Sequence, residues 1–468
     1  MSSSTVELIF ADGTLLLTGV PTEQLRDWFP QVLWAIDSRV GAMRCDAIEY
    51  PHIADGLRQR RIAFNDSLDQ PREVRWKAEL TCELRPEQTD AVDAWMNGGQ
   101  RGCVVMPTGT GKTEVALRIM QLTNVATLVV APVRDLMYQW HRRILKSLNY
   151  DAGIIGDSVF RVSPVSVTTY DSACIHMPKL GDQFGLIIFD ECHHLPGQIR
   201  RDAARMCAAR ARLGLTATPE RADGRHADLK QLIGPTVYEL AISEVRGKSL
   251  ADYDIVRIPV HLSDNEQRRY DLLAEEVSTY MYRQRQENAL FSWEDLCSSS
   301  GASTEARRAM KAFYAKKAIE DRAEEKLRTL EDLFRLHARE RCIVFAGSNA
   351  MARDVSLRFL IPCLLSHCGK KERLDILEGF AAGDYLAIVA NQVLDEGVDV
   401  PAAKVAIVIG GMSSSRQARQ RLGRILRRSG DRLAILYEVV CAGTNDEKRS
   451  RMRRKHDSFR GTRRKPGR

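Results

Sequence analysis

Two parallel-sheet α/β domains, separated by a helical insert, preceded by a small α+β domain and followed by a basic tail: this is the fold class the sequence predicts. Three observations carry it. Short apolar runs of strand length alternate with helical stretches twice, within residues 76–245 and again within 326–443, as a sheet covered by helices on both faces requires. Between them, over residues 246–325, that rhythm stops. The net charge of +8 is also concentrated at one end, because residues 444–468 carry eleven Lys or Arg against three acids, and 11 − 3 accounts for all of it.

Residues 6–20, VELIFADGTLLLTGV, place apolar runs on either side of an Asp-Gly pair and predict a β-hairpin. A helical segment near 51–61 and the strand-like IAF at 62–64 follow, and the charged stretch at 70–77 reads as a linker, which closes a small N-terminal domain at residues 1–75. Its residues carry little chemistry, so no site is assigned to it. GCVVM, ATLVVAP, VSVTTY, GLIIFD and RLGLTAT then supply the strands of the first α/β domain. Residues 265–295 are helical and rich in Arg and Tyr, and SSSGAS at 298–303 marks a break. No Gly or Pro occurs from Ala302 to Ala346, which predicts one long helix running into the strand CIVFA. LAIVA, KVAIVIGG and LAILYEVV complete the second domain. The tail has no apolar periodicity and is expected not to fold alone, while its cations favour a polyanion, with nucleic acid the leading partner.

Composition excludes other classes. A chain of 468 residues that is 44% hydrophobic and 28% charged can bury two or three cores. No apolar run reaches the roughly 18 residues a bilayer span needs, so no membrane partner is expected. The first basic residue is Arg26, so no charged segment precedes an apolar signal core. The expected location is cytoplasmic, at the nucleoid in a prokaryote. Eleven cysteines without a CxxC pair suit a reducing compartment.

The chemistry begins at MPTGTGKT, residues 106–113, which lies between a strand run and the helical EVALRIM. Backbone N–H groups of such a loop wrap phosphates, Lys112 reaches the β and γ groups, and Thr113 gives its hydroxyl to Mg2+. Met106 stands where the first glycine of the motif is usual, but Gly109 and Gly111 still permit the tight turn, with Pro107, Thr108 and Thr110 completing the loop. ATP and Mg2+ are therefore the expected cofactors. Seventy-eight residues beyond Lys112, the run GLIIF ends in Asp190 and Glu191. Both loops belong at the carboxyl edge of one sheet, where Asp190 would complete the Mg2+ shell and Glu191 would polarise the water that attacks the γ-phosphate. Cys192, His193 and His194 follow in a row and cannot all face one ion from such a turn, so zinc is not expected. His193 is instead expected to link the hydrolytic site to neighbouring loops.

Taken together, LRPEQ at 84–88, MPTGTGKT, FDECHH at 189–194, RLGLTATPERADGR at 212–225, ANQVLDEGVDVP at 390–401 and QRLGRILR at 420–427 resemble the ordered motifs of superfamily 2 helicases. More narrowly, the chain resembles the XPB family in its compact archaeal and bacterial form, strongly over roughly residues 80–443 and weakly over the first 75. The resemblance implies two RecA-like helicase domains with a thumb-like insert, and an ATP-dependent DNA helicase or translocase of 3′ to 5′ polarity working in nucleotide excision repair or related DNA processing. By position it gives Gln88 with Arg85 to adenine recognition. It gives Thr216, Ala217 and Thr218 to the coupling of hydrolysis with movement, and Asp395, Gly397 and Asp399 to the ATP site. Arg424 and Arg427, three residues apart with Gln420 one turn earlier, are the candidate arginine fingers. Thr168 and Thr169 in TTYDS, Arg221, Asp223 and Tyr280 are the candidate DNA contacts, with Tyr270 and Tyr282 also placed to stack on bases. The family's Arg-Glu-Asp stands here as Arg221, Ala222 and Asp223, and the missing acid leaves strong unwinding less expected than translocation.

The N-terminal segment matches the position of the family's damage-recognition domain, and a small domain that only packs on the motor fits equally well. Two other readings share the same motor: the motor subunit of a restriction or defence system, and a DNA-binding scaffold that recruits a nuclease. No nuclease constellation is visible in the chain, so cleavage requires a partner nuclease.

Overall fold

The computed structural model describes residues 6–68, 73–76, 83–107, 109–219, 223–241, 253–365, 367–391, 403–410 and 434–453. The described residues divide into two compact units, one built from those up to residue 241 and the other from those from residue 253 onward.

In the first unit the hairpin forms as read: β1 (Val6–Ala11) pairs antiparallel with β2 (Thr14–Thr18), Ala11 opposite Thr14. Asp12 and Gly13 turn with φ of 50° and 77°, the left-handed pair that a two-residue hairpin needs. After α1 (Thr22–Trp28) come β3 (Ala35–Asp37), β4 (Ala42–Asp46), α2 (Tyr50–Gln59) and β5 (Phe64–Asp66). The sheet order is β3-β4-β2-β1-β5, with β5 parallel to β1. Leu8, Leu15, Leu17, Phe29, Ile53 and Leu57 fill its core, and Ala208 of the following domain enters the same core. Arg205 pairs with Asp46 at 2.8 Å and Arg210 with Asp55 at 2.9 Å, so the small domain is held against its neighbour by charge as well as by apolar packing. Part of the stretch read as a linker is also packed: Val74 is buried and its N–H donates to Asn124 O at 3.1 Å.

The larger domain of this unit alternates α3 (Pro86–Asn97), β6 (Arg101–Val105), α4 (Lys112–Thr123), β7 (Thr127–Ala131), α5 (Arg134–Leu148), β8 (Gly153–Gly156), β9 (Val159–Arg161), β10 (Val165–Thr169), α6 (Tyr170–Leu180), β11 (Leu186–Asp190), β12 (Ala211–Thr216) and β13 (Thr236–Glu239). The strand order is β13-β6-β12-β11-β7-β10-β8-β9, parallel throughout except at β9. Strands β7, β10, β11 and β12 are buried along their whole length, which is why β7 and β11 read as near-continuous apolar runs, while β10 and β12 also bury Ser166, Thr168 and Arg212, each hydrogen-bonded within the fold. The strand entering the phosphate loop, β6, and the strand ending in the acid pair, β11, both border β12. Gly214 on β12 makes room for this: a Cβ there would lie 2.9 Å from Cys103 Sγ and 3.0 Å from Cys192 Sγ. Gly214→Ala should therefore cost about 1–3 kcal/mol through overpacking. A denaturant midpoint equal to that of the unaltered chain would contradict this packing.

The second unit contains β14 (Tyr253–Val260), α7 (Asp264–Glu287), α8 (Trp293–Ser299), α9 (Thr304–Arg322), α10 (Glu324–Leu336), β15 (Cys342–Phe345), α11 (Asn349–Phe359), β16 (Cys363–Leu364), α12 (Lys370–Ala382), β17 (Ala387–Ala390), β18 (Val405–Val408), β19 (Ala434–Cys441) and α13 (Asn445–Arg453). Its parallel sheet has the order β14-β19-β18-β15-β17-β16. The sheet thus recruits an edge strand, Tyr253–Val260, from residues 246–325, where the strand-and-helix rhythm was expected to stop.

Two expectations are corrected here. The single helix expected from Ala302 breaks at Ala323 (φ −49°, ψ 129°), where the N–H of Glu324 donates to Glu266 Oε1 at 3.1 Å instead of continuing the helical ladder. The start of the basic tail also folds, because Asn445–Arg453 is a helix with Asp446 and Ser450 buried. Polar contacts hold it, so apolar periodicity gave no sign of it.

Candidate active site

The phosphate loop leaves β6 at Met106, whose N–H donates to Thr216 O at 3.0 Å, tying the loop to the end of β12. Gly109 and Gly111 adopt φ of 88° and 86°, left-handed conformations that glycine takes without strain. Thr110 is fully buried and its hydroxyl donates to Pro107 O at 2.7 Å, closing the turn. Helix α4 opens at Lys112, so its first N–H groups and its dipole face the loop's concavity, where an anion is favoured. Lys112 Nζ donates to Met106 O at 3.1 Å.

The acid pair ends β11. Asp190 Oδ2 accepts from Trp140 Nε1 at 2.8 Å, its Oδ1 from the Glu191 N–H at 3.0 Å, and its backbone carbonyl from Tyr170 OH at 3.0 Å. Burial and then the Glu191 charge push the Asp190 carboxyl above its usual range, while the Trp140 N–H and Lys112 oppose the shift. Glu191 sits at φ 47°, ψ 53°, a conformation uncommon for a residue with a Cβ. Its Oε2 is buried and makes no hydrogen bond among the described residues; it lies 3.4 Å from His193 Nδ1. Two adjacent carboxylates, one raised by burial and one with an unused oxygen, form a donor set that suits a hard divalent cation and a water.

His193 is fully buried and its Nδ1 lies 3.0 Å from Thr216 Oγ1. Thr216 donates its one hydroxyl proton to Thr218 O at 2.9 Å and accepts from the Thr218 N–H at 3.1 Å. His193 Nδ1 is therefore the donor to Thr216. Asp190, Glu191, His193, Thr216 and Thr218 thus form one connected group, with Ala217 buried between the threonines. The arrangement can hold a polyphosphate, place a water, and report through Thr216 on what occupies the site.

Other expected residues are placed differently. Gln88 is buried; its Nε2 donates to Thr110 O at 2.7 Å and its Oε1 accepts from the Arg85 N–H at 2.9 Å. Its amide therefore braces the phosphate loop. Thr168 is corrected as a side-chain DNA contact: it is buried and its hydroxyl donates to Ile155 O at 2.7 Å. Thr169 is the N-cap of α6, accepting from the Ser172 N–H, so its hydroxyl too is engaged within the fold. Asp223 is exposed and accepts from the Arg225 N–H at 3.2 Å. The tyrosines of α7 divide. Tyr270 is buried and donates to Glu320 Oε1 at 2.9 Å, Tyr280 packs on Phe291 with ring centroids 6.3 Å apart, and Tyr282 is exposed. Thr108, Arg221, Asp395, Gly397, Asp399, Gln420, Arg424 and Arg427 lie outside the described residues.

Trp140 and Tyr170 were missed as supports of the acid pair. The apolar periodicity of α5, with Leu136, Met137, Trp140, Ile144 and Leu148 on its buried face, was the available signal for Trp140.

Comparison with known proteins bears on this geometry. Residues 8–68 match the family described as the Xeroderma pigmentosum group B helicase damage recognition domain, residues 81–221 the family described as Type III restriction enzyme, res subunit, and residues 325–429 the helicase conserved C-terminal domain. The DNA 3′-5′ translocase XPB2 of Sulfurisphaera tokodaii is 43% identical over 373 residues, covering 80% of this chain and 84% of that protein. The DNA 3′-5′ helicase XPB of Kineococcus radiotolerans is 33% identical, covering 79% of this chain and 62% of its own length. Among solved structures, the Pyrococcus furiosus Hef helicase domain superposes with a TM-score of 0.53 at 18% identity, covering 79% of this chain and 98% of that one. That likeness shows the fold.

Proposed function

Because this chain belongs to the XPB family of DNA helicases, shown by 43% identity over most of both chains, we propose that it is an ATP-driven DNA translocase or helicase of 3′ to 5′ polarity. One observation carries the reading. The phosphate loop and the acid pair end two strands that both border β12, and Thr216 at the end of β12 is hydrogen-bonded toward each of them.

The loop N–H groups and Lys112 bind the triphosphate, Asp190 with Thr113 would hold Mg2+, and Glu191 orients the attacking water. When bound there, Mg2+ would supply charge neutralisation for the phosphate oxygens. Gln88 keeps the loop in shape through Thr110, and Arg85 flanks the nucleotide. His193 and Thr216 carry the state of the site to Ala217 and Thr218. Asp395, Gly397, Asp399, Gln420, Arg424 and Arg427 are the second domain's candidates for this chemistry by their motifs, the two arginines as the cations that would offset charge on the breaking bond. Alternating closure and release of the domains moves the protein along a strand. Arg221, Asp223 and the exposed Tyr282 remain candidate DNA contacts, the last by stacking.

The match of residues 8–68 to a damage-recognition domain favours a role in DNA repair over the restriction reading, which rests on the first α/β domain alone. A nuclease partner belongs to either reading. Strand displacement on a duplex with a 3′ single-stranded tail tests the polarity: whatever displacement ATP drives should favour that substrate over a 5′-tailed duplex, and preference for a 5′ tail would contradict the reading.

The tail belongs to DNA binding. Beyond α13, residues 454–468 carry seven Lys or Arg against one acid. Deleting them should flatten the dependence of log Kd on log salt by roughly 0.7–0.9 for each phosphate that they neutralise. An unchanged slope would remove the tail from the interface.

A further inference from the structure

The second unit encloses a charged network that the motor mechanism does not use. Lys326, near the start of α10, is fully buried, and its ammonium donates to Asp446 Oδ2 at 2.7 Å and to Ile409 O at 2.9 Å. Ile409 follows β18, and the chain beyond it leads in sequence to Arg424 and Arg427. Asp446 lies on α13, and its Oδ2 also accepts from the Cys441 N–H at 3.2 Å, which fixes it to the end of β19. From α13 the network continues into the insert: Arg449 pairs with Glu320 of α9 at 2.5 Å, and Glu320 Oε1 accepts from Tyr270 of α7 at 2.9 Å and from the Asn445 N–H at 3.2 Å. Asp321 is buried beside it; its Oδ1 makes no hydrogen bond among the described residues and stands 3.0 Å from where a Cβ on Gly410 would lie.

Stability alone does not account for such a set. Apolar side chains of similar volume commonly hold a buried site as well as an ion pair does, because both charges must be stripped of water. An ammonium instead offers donors in fixed directions, and here one of them sets the position of a backbone carbonyl where the chain leaves the sheet. The other end of the network is built into the two long helices of the insert.

We propose that Lys326 and Asp446 form a buried latch, linked through Arg449 and Glu320 to the inserted helices, that positions the chain leaving β18 and makes ATP turnover respond to nucleic acid. The proposal rests on the motor reading above. Lys326 and Asp446 are positioning residues, since neither touches substrate.

The double variant Lys326→Met with Asp446→Leu removes both charges together, and Glu320→Gln with Arg449→Met cuts the link to the insert while leaving Lys326 in place. For each, steady-state ATP hydrolysis is measured with and without single-stranded DNA, alongside the melting temperature and the Kd for that DNA. Both should fold and keep the Kd and the KM for ATP, while DNA-stimulated kcat falls about tenfold. If the first variant does not fold, the second decides. Unaltered DNA-stimulated kcat in a folded variant, or a loss matched by equal changes in Kd and KM, would overturn the latch and leave the motor reading standing. Absence of any DNA stimulation in the unaltered chain would overturn the motor reading, and the latch with it.

Discussion

Glu191→Gln is expected to bind ATP and lose its hydrolysis by about 10²–10⁴-fold, the range that loss of a positioned proton acceptor commonly costs. The exchange is nearly isosteric, so the left-handed turn at Glu191 and the Asp190–Trp140 hydrogen bond should persist. What is lost is the charge on an oxygen that the fold leaves without a hydrogen bond among the described residues. A KM for ATP near that of the unaltered chain, with kcat alone reduced, is the expected signature. Lys112→Ala should differ by weakening ATP binding as well. Turnover by Glu191→Gln at the unaltered rate would assign the water to another group.

Asp446→Ala is expected to destabilise the second unit by about 3–5 kcal/mol, because among the described residues it leaves Lys326 charged and buried with only Ile409 O as a hydrogen-bond partner. Removing both charges in Lys326→Met with Asp446→Leu should cost far less than the single change. Denaturant titration of the three proteins checks this, and equal midpoints for single and double variants would contradict it. A pH dependence accompanies the pair. Burial alone would raise the Asp446 carboxyl, but the charge and hydrogen bond of Lys326, together with the Arg449 charge and the Cys441 N–H, outweigh it and the net shift is downward. A carboxyl lowered on folding adds stability that is present above its unfolded pKa of about 4 and is lost as pH falls through the folded value. The unaltered chain should therefore lose stability below about pH 4 more steeply than the double variant.

Much of this molecule is legible in its sequence, and the exceptions share a cause. Strands β7 and β11 announce themselves because a parallel sheet buried on both faces favours near-continuous apolar runs. The phosphate loop and Asp190–Glu191 are legible because the chemistry restricts residue type and spacing together. Helix α13 was not, since it is held by Asp446, Arg449 and Ser450 bonding to Lys326, Glu320 and Glu438, residues distant in sequence. The break at Ala323 leaves no mark either, because alanine favours helix and the competing bond comes from Glu266, on another helix. Thr168 and Thr169 look available to phosphate as hydroxyl-rich residues at a strand end, yet within the fold their hydroxyls bond to Ile155 O and to the first turn of α6, which strand-end position alone does not reveal. Tyr270, Tyr280 and Tyr282 look alike in sequence and differ only in what α7 packs against.

The central claim is that one sheet edge, carrying Lys112, Asp190 and Glu191, hydrolyses ATP under the control of a DNA strand. Phosphate release with and without single-stranded DNA, on the unaltered chain and on Lys112→Ala, tests it most directly. Release should rise roughly tenfold or more with DNA and vanish in the variant. Release that ignores DNA, or that survives in Lys112→Ala, would contradict it.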